Sequence, residues 1–291
     1  MGAAKKVKWE KYEKYKTTDI EWLEEVPEKW NLRKLKTISK INVNSLLDST
    51  DGYFEFDYVD IGNVTYESGV VGVERFIFRN APSRARRIAK INDTIISTVR
   101  TYLKAIDFIC KEKSDYVYST GFAILQPIVG HVCPKYLNSF VKSSVFTNQV
   151  DMDSKGMSYP AINSTDLSNL LVIVPPLPEQ TAIANFLDDK TTKIDEAISQ
   201  KERLIALLKE RKQILIQQAV TKGLDPNVKM KDSGIDWIGE IPQHWDVVAN
   251  RILFKERKDP GREGLPLLSV SIHSAVSSEE LNEEDNSQGR I

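Results

Sequence analysis

Residues 174–180 read VPPLPEQ, and two different kinds of sequence meet there. Three prolines in four residues end any strand that precedes them, and Pro178 followed by Glu179 suits the first turn of a helix. From Glu179 to Lys222 neither proline nor glycine occurs, and apolar side chains recur at Ile183, Leu187, Ile194, Ile198, Ile205, Leu208, Leu215 and Ala219. Steps of three, four and seven describe one long amphipathic helix, which Gly223 and then Pro226 bring to an end. About 44 residues at 1.5 Å each make roughly 66 Å, more than a typical single domain spans. Residues 1–176 can cover only part of the seam, so the helix is expected to pair with another, parallel or antiparallel.

Before the proline cluster the pattern is shorter. YFEFDYVDIGNVT, GVVGVERFIF, DTIISTVRTYLKAIDFI and TGFAILQPIV are rich in β-branched and aromatic residues and broken by Gly, Asn, Asp and Pro, which predicts strands and turns. The stretch CPKYLNSFVKSSVFTNQVDM predicts one short helix. Residues 1–176 therefore read as one domain of mixed strands and short helices, and the chain as α+β.

Beyond the helix an earlier pattern restarts. IEWLEEVPEKW at 20–30 returns as IDWIGEIPQHW at 235–245, so that with an offset of 215 Ile20, Trp22, Glu25, Pro27 and Trp30 fall on Ile235, Trp237, Glu240, Pro242 and Trp245. A looser echo of DYVDIGNV follows in PLLSVSIHSAV. The order is domain, long helix, and the start of a second domain from 223 to 291. Large Trp rings and a rigid Pro suit plugs that seat a domain on a helix, with no chemistry required of them.

Composition narrows the function. The chain of 291 residues is 41% hydrophobic and 28% charged with a net charge of −1, values of a globular protein with at least one sizeable core. LLVIVPPLP at 170–178 is too short and proline-rich to span a bilayer, and the N-terminus has no apolar run for export, so a cytoplasmic protein without membrane contact is expected. Cys110 and Cys133 make neither a disulfide framework nor a metal-ligand spacing. Phosphate-binding glycine loops, a zinc-protease helix and a serine nucleophile elbow are all lacking, and three histidines, His131, His244 and His273, are widely spread. No catalytic centre, metal or cofactor is expected.

Charge is unevenly placed. Residues 75–104 carry eight basic side chains, Arg75, Arg79, Arg84, Arg86, Arg87, Lys90, Arg100 and Lys104, against one acid, Asp93, whereas 279–285 holds five acids in seven residues. Arginines, hydroxyls and Tyr102 among apolar residues make the mixture that holds phosphates and reads base edges. Arg84, Arg86 and Arg87 are expected in a loop, and Arg100, Tyr102 and Lys104 on one face of a strand. Lys155, Ser158 and Tyr159, beside the permissive Gly156, form a second candidate contact. Solvated loops and a simple turn account for both runs equally well at this level.

IEWLEEVPEKWNLRKLKTI, the segment from GMSYPAINSTDLSNLLVIVPPLPEQ to QQAVTKGL, and MKDSGIDWIGEIPQHW together resemble the specificity subunit of type I restriction-modification systems over nearly the whole chain. The resemblance implies two target-recognition domains joined by two antiparallel helices. Each domain reads half of a bipartite site in double-stranded DNA, and the helices set the gap and dock methyltransferase subunits. Methyl transfer, translocation and cleavage then belong to the methyltransferase and restriction subunits. Residues 1–176 become the first recognition domain, 177–222 the spacer helix and 223–291 the beginning of the second domain. This chain departs from the pattern in lacking most of the second domain and the second helix. That departure leaves two readings: a DNA-recognition subunit that forms a homodimer through the helix and reads a palindromic, interrupted site, or a truncated assembly or inhibitory protein that binds methyltransferase subunits without reading DNA.

Overall fold

The computed structural model describes residues 11–20 and 23–257. Trp22 of the first repeat, the PLLSVSIHSAV echo and the acidic stretch 279–285 lie outside the described residues. The chain divides into two compact units whose boundary, between Glu202 and Arg203, falls inside the long helix.

The first unit is built on two four-stranded sheets. One runs Ile106–Phe108, Thr94–Ser97, Phe122–Pro127, Ser39–Ile41, antiparallel throughout. The other runs Glu74–Ile77, Glu55–Val59, Val117–Ser119, Ala85–Ile88, with a single parallel pair at its centre. Alternation along the strands decides what each face packs against. In Phe122–Pro127, Ala123 and Leu125 join one buried cluster while Phe122 and Ile124 join another; Ile96 and Ile95 divide in the same way. The first sheet is thus covered on both faces. Leu137, Phe140 and Phe146 from helices α1 (Pro134–Lys142) and α2 (Ser144–Asp153) fill the first cluster, and Val59, Ile109 and Tyr118 the second.

The single helix expected over CPKYLNSFVKSSVFTNQVDM is two. Ser143, with φ −70° and ψ 153°, is extended and separates them, and its N–H and hydroxyl both donate to the Phe140 carbonyl. Apolar spacing alone does not register such a one-residue break, because it changes direction without changing the period. A short helix α3 (Ser164–Asn169) follows, capped by the Asn163 side chain, which accepts from the Asp166 N–H at 2.8 Å.

The strand Leu171–Val174 pairs antiparallel with Asn31–Lys34 and delivers the chain into helix α4 (Leu177–Lys222). The proline cluster works as expected: the Pro176 carbonyl accepts from the N–H groups of Glu179 and Gln180 at 2.9 and 3.0 Å. Gln180 is 1% exposed. Its Oε1 accepts from the Cys133 N–H at 2.8 Å, at the start of α1, and its Nε2 donates to the Pro175 carbonyl at 2.7 Å. Glu179 accepts from the Tyr12 hydroxyl and from the Trp30 indole N–H, the latter at 3.0 Å. A tyrosinate would stand beside that carboxylate, so the Tyr12 hydroxyl is pushed up to about 12, by the hydrogen bond first and by burial second. Trp30 is the expected plug at the helix start. Ile183, assigned to the partner seam from spacing, is half-buried and packs against the first core.

The two repeats share backbone bonds and strand register. The Glu28 N–H donates to the Lys14 carbonyl and the Trp30 N–H to the Pro27 carbonyl. At an offset of 215 the Gln243 N–H donates to the Lys229 carbonyl and the Trp245 N–H to the Pro242 carbonyl. Strand Tyr15–Ile20 pairs with Leu23–Pro27 in the register Tyr15 to Pro27, and Met230–Asp232 with Glu240–Pro242 in the register Met230 to Pro242. In the second unit α4 ends at Gly223, whose φ of +75° is the left-handed stop, and a Cβ there would lie 3.5 Å from the Trp245 ring. A short helix α5 (Asn250–Leu253) is the last described element.

Replacing Gln180 by Leu leaves the Cys133 N–H and the Pro175 carbonyl without partners, at a cost of about 1–3 kcal/mol each. Urea unfolding followed by tryptophan fluorescence is expected to show a lower midpoint for Q180L, and an unchanged midpoint would show that the buried amide does not hold the helix start.

Candidate nucleic-acid interface

Strands Thr94–Ser97 and Ile106–Phe108 pair antiparallel, so the chain between them must reverse, and the strand expected through STVRTYLK is interrupted. Thr101–Leu103 form a turn of 3-10 helix flanked by two left-handed residues, Arg100 at φ 51° and Lys104 at φ 48°. Each non-glycine residue in that region costs roughly 1–2 kcal/mol, which the surrounding bonds must offset. Arg100, Tyr102 and Lys104 therefore do not alternate along one strand face. β-Branched composition marks both a strand and the hairpin connection, so it did not separate the two.

The bonds that hold this loop come from a segment much further along the chain, Ser154 to Ile162. The Ile162 N–H donates to the Thr98 carbonyl at 2.9 Å, and Val99 bridges Ala161. Lys155 and Ala161 exchange N–H to carbonyl bonds of 2.8 and 2.9 Å, closing the turn that carries Gly156, Met157, Ser158 and Tyr159. The Ser154 hydroxyl donates to the Val150 carbonyl at 2.6 Å, so its one proton is used and the Thr101 hydroxyl, 3.1 Å away, is the donor between them. Across the junction the Arg100 guanidinium carbon lies 5.1 Å from the centre of the Tyr159 ring. The two candidate contacts of the sequence are one surface.

That surface is apolar as well as cationic. Tyr102 is 55% exposed, Tyr159 66%, and Met157 fully, at the apex of the turn. Val99 and Leu103 are exposed beside them, and Ser158 and Lys155 are exposed too, with Lys155 4.0 Å from Asp166. An open cleft of about 520 Å³ adjoins the loop, lined among others by Tyr66, Glu67, Tyr102 and Lys104. Met157 and Tyr66 were not among the sequence candidates. An apolar residue directly after a turn glycine was the available signal for Met157; nothing in the sequence brings Tyr66 near Tyr102.

Arg84, Arg86 and Arg87 differ from the loop cluster expected of them. Arg86 and Arg87 lie in the strand Ala85–Ile88, which pairs with Val117–Ser119, and Arg84 directly precedes it. Arg84 meets Asp60 at 2.6 Å, and Tyr58 and Asp60 together raise its guanidinium above its ordinary value. Arg86 lies over the Phe78 ring and 3.7 Å from Asp48. Arg87 is half-buried, near the Ser45 hydroxyl at 3.5 Å, and burial pulls its guanidinium down. Arg75, outside the candidate set, is held by Glu55 and Asp57. Among the described residues Arg100 has no carboxylate or hydrogen-bond partner for its guanidinium. The ion pairs are exposed and individually weak, yet each neutralises a cation that a phosphate would otherwise meet.

Among the described residues no group of His, Cys, Asp or Glu is placed to hold a metal ion, and no helix is long and apolar enough to cross a membrane. Two sheets and short helices carry this exposed surface, and one long helix follows them. The family described as Type I restriction modification DNA specificity domain matches residues 27–205, and the chain belongs to that family. A Methanocaldococcus jannaschii chain named for the MjaX type I specificity subunit is 26% identical over 257 residues, covering 84% of this chain and 57% of the relative. The EcoBI specificity subunit of Escherichia coli is 22% identical over 274 residues, covering 81% and 56%. Among solved structures, the HsdS subunit from Thermoanaerobacter tengcongensis superposes with a TM-score of 0.55 at 26% identity, over 72% of this chain and 55% of that one. A chain from a structure on complex assembly and conformational transition of the type I R-M system gives a TM-score of 0.56 at 26% identity, over 72% and 54%. The chain thus spans little more than half the length of these relatives.

Gly156 has φ +106°, and a Cβ there would lie 3.1 Å from the Tyr159 carbonyl oxygen. Gly156→Ala therefore strains the turn by about 1–3 kcal/mol. Hydrogen exchange at the Lys155 and Ala161 amides is expected to accelerate by roughly 5- to 100-fold, and unchanged protection would show that the turn does not depend on the glycine.

Proposed function

We propose that this chain is a non-enzymatic subunit that reads DNA for a type I restriction-modification complex. Residues 1–176 act as its recognition domain, 177–222 as its spacer helix and 223–291 as the start of a second recognition domain. The observation that carries this reading is the convergence of two remote segments on one exposed surface, Arg100, Tyr102 and Lys104 beside Lys155, Ser158 and Tyr159. Exposed cations meet phosphates, and exposed rings and Met157 suit the edges of bases. Arg84, Arg86 and Arg87 serve as outlying phosphate contacts, Arg84 and Arg86 weakened by Asp60 and Asp48 and Arg87 by its half-burial. Replacing Lys155 by Ala is expected to weaken binding to all duplexes alike and to flatten the salt dependence, whereas Arg100→Ala costs roughly 1–3 kcal/mol at one base position only. If R100A changes neither affinity nor preferred sequence in a duplex-binding assay, the reading surface lies elsewhere.

Methyltransferase and restriction subunits are the proposed protein partners, and the family of the chain together with its fold supports them. Helix α4 supports a further contact. Ile194, Ile198, Ile205, Leu208 and Leu215 are each more than half exposed, Leu187 and Ala219 are half-buried, and Leu204, Leu207, Ile214, Ile216 and Val220 widen the apolar face. A buried leucine or isoleucine stabilises by about 1.5–3 kcal/mol, so a face of this kind favours a second long helix, here that of a second copy. Sedimentation is expected to show a dimer that Leu208→Asp with Leu215→Asp dissociates. A monomeric wild-type chain at micromolar concentration would remove the homodimer. If the chain instead binds methyltransferase with no sequence preference on DNA, the assembly or inhibitory role is the better description.

A further inference from the structure

We infer that the surface reads a guanine through Arg100, and that Tyr159 is the positioning residue that fixes the guanidinium for it; the inference rests on the DNA-reading function proposed above. Three features of Arg100 set it apart. Its backbone is left-handed, its guanidinium lies over the Tyr159 ring, and among the described residues it has no carboxylate to neutralise it. A phosphate needs only a positive charge in reach, which a flexible lysine supplies as well. A planar, ring-braced fork matters only to an acceptor that is itself planar and two-pronged, and among bases the O6 and N7 edge of guanine in the major groove is that acceptor.

The surroundings agree with a base rather than a phosphate. Val99, Tyr102 and Leu103 are exposed on the loop that carries Arg100, and Met157 on the turn that carries Tyr159, and such apolar groups suit contact with base edges and methyl groups rather than the strongly hydrated backbone. The brace also restricts the freedom that a long arginine side chain would otherwise lose on binding. Tyr159 is held in place by the Lys155 to Ala161 bridge and not by its hydroxyl, for which no hydrogen-bond partner occurs among the described residues. The ring, not the phenol, is the working part, so Phe should replace Tyr.

The full chain is used to select its preferred duplex from a random pool, and each guanine of that duplex is then exchanged for 7-deazaguanine, which lacks the N7 acceptor. One guanine is expected at which the exchange weakens wild-type binding by about 10-fold. Arg100→Ala and Tyr159→Leu should both lose discrimination at that position, the double variant should lose no more than either alone, and Tyr159→Phe should retain it. A selected sequence with no sensitive guanine overturns the inference and leaves DNA reading intact, as does a Tyr159→Leu variant that weakens all duplexes uniformly. A wild-type chain that selects no sequence overturns the reading function and this inference with it.

Discussion

The buried carboxamide of Gln180 is the constraint on which the rest depends. An amide enclosed at 1% exposure must satisfy its donor and its acceptor within the protein, and it does so with the Pro175 carbonyl and the Cys133 N–H. Those two bonds fix the first turn of α4 to the start of α1. Since α1 and α2 cover one face of the central sheet, the direction of the helix is tied to the core of the domain. Glu179, one residue earlier, takes the Trp30 indole and the Tyr12 hydroxyl, so the first hairpin is tied to the same turn. The start of α4 is thus held to the first unit by hydrogen bonds as well as by packing.

The surface itself shows how a fold redistributes the charges of a basic run. Residues 75–104 look uniformly cationic in the sequence, yet Arg75 and Arg84 find carboxylates close by and Arg87 is half-buried. The acids that do this, Glu55, Asp57 and Asp60, sit on or just after the strand Glu55–Val59 of the same sheet, far enough away in sequence that the run seemed to have only Asp93 against it. Arg100 lies over the Tyr159 ring and has no such carboxylate among the described residues. Strain is concentrated in the same place, with left-handed residues on both sides of one 3-10 turn.

The hairpins 14–30 and 229–245 are two uses of one local design. Their equivalent backbone bonds, at a constant offset, follow from the same proline and tryptophan at equivalent positions. In the first unit the Trp30 indole is bonded to a carboxylate at a helix start, and in the second the Trp245 ring lies against the glycine that ends a helix. An amphipathic ring serves in both settings because most of its surface is apolar and only one edge needs a polar partner.

Much of the architecture was written in local pattern. Pro175, Pro176 and Pro178 set the start of α4, uninterrupted helix-formers carry it, and Gly223 stops it; these act over a few residues, so the chain alone determined them. The α+β character and the repeat were equally legible. What only the tertiary structure decided depends on contacts between remote residues: the turn at Arg100 where a strand was expected, and the packing of Ile183 against the first core. The meeting of Arg100 with Tyr159 belongs to the same class, since it arises when the Lys155 to Ala161 turn is hydrogen-bonded to the loop at Thr98. No periodicity encodes that meeting, because side-chain spacing reports which face a residue occupies and not which distant segment will cover it.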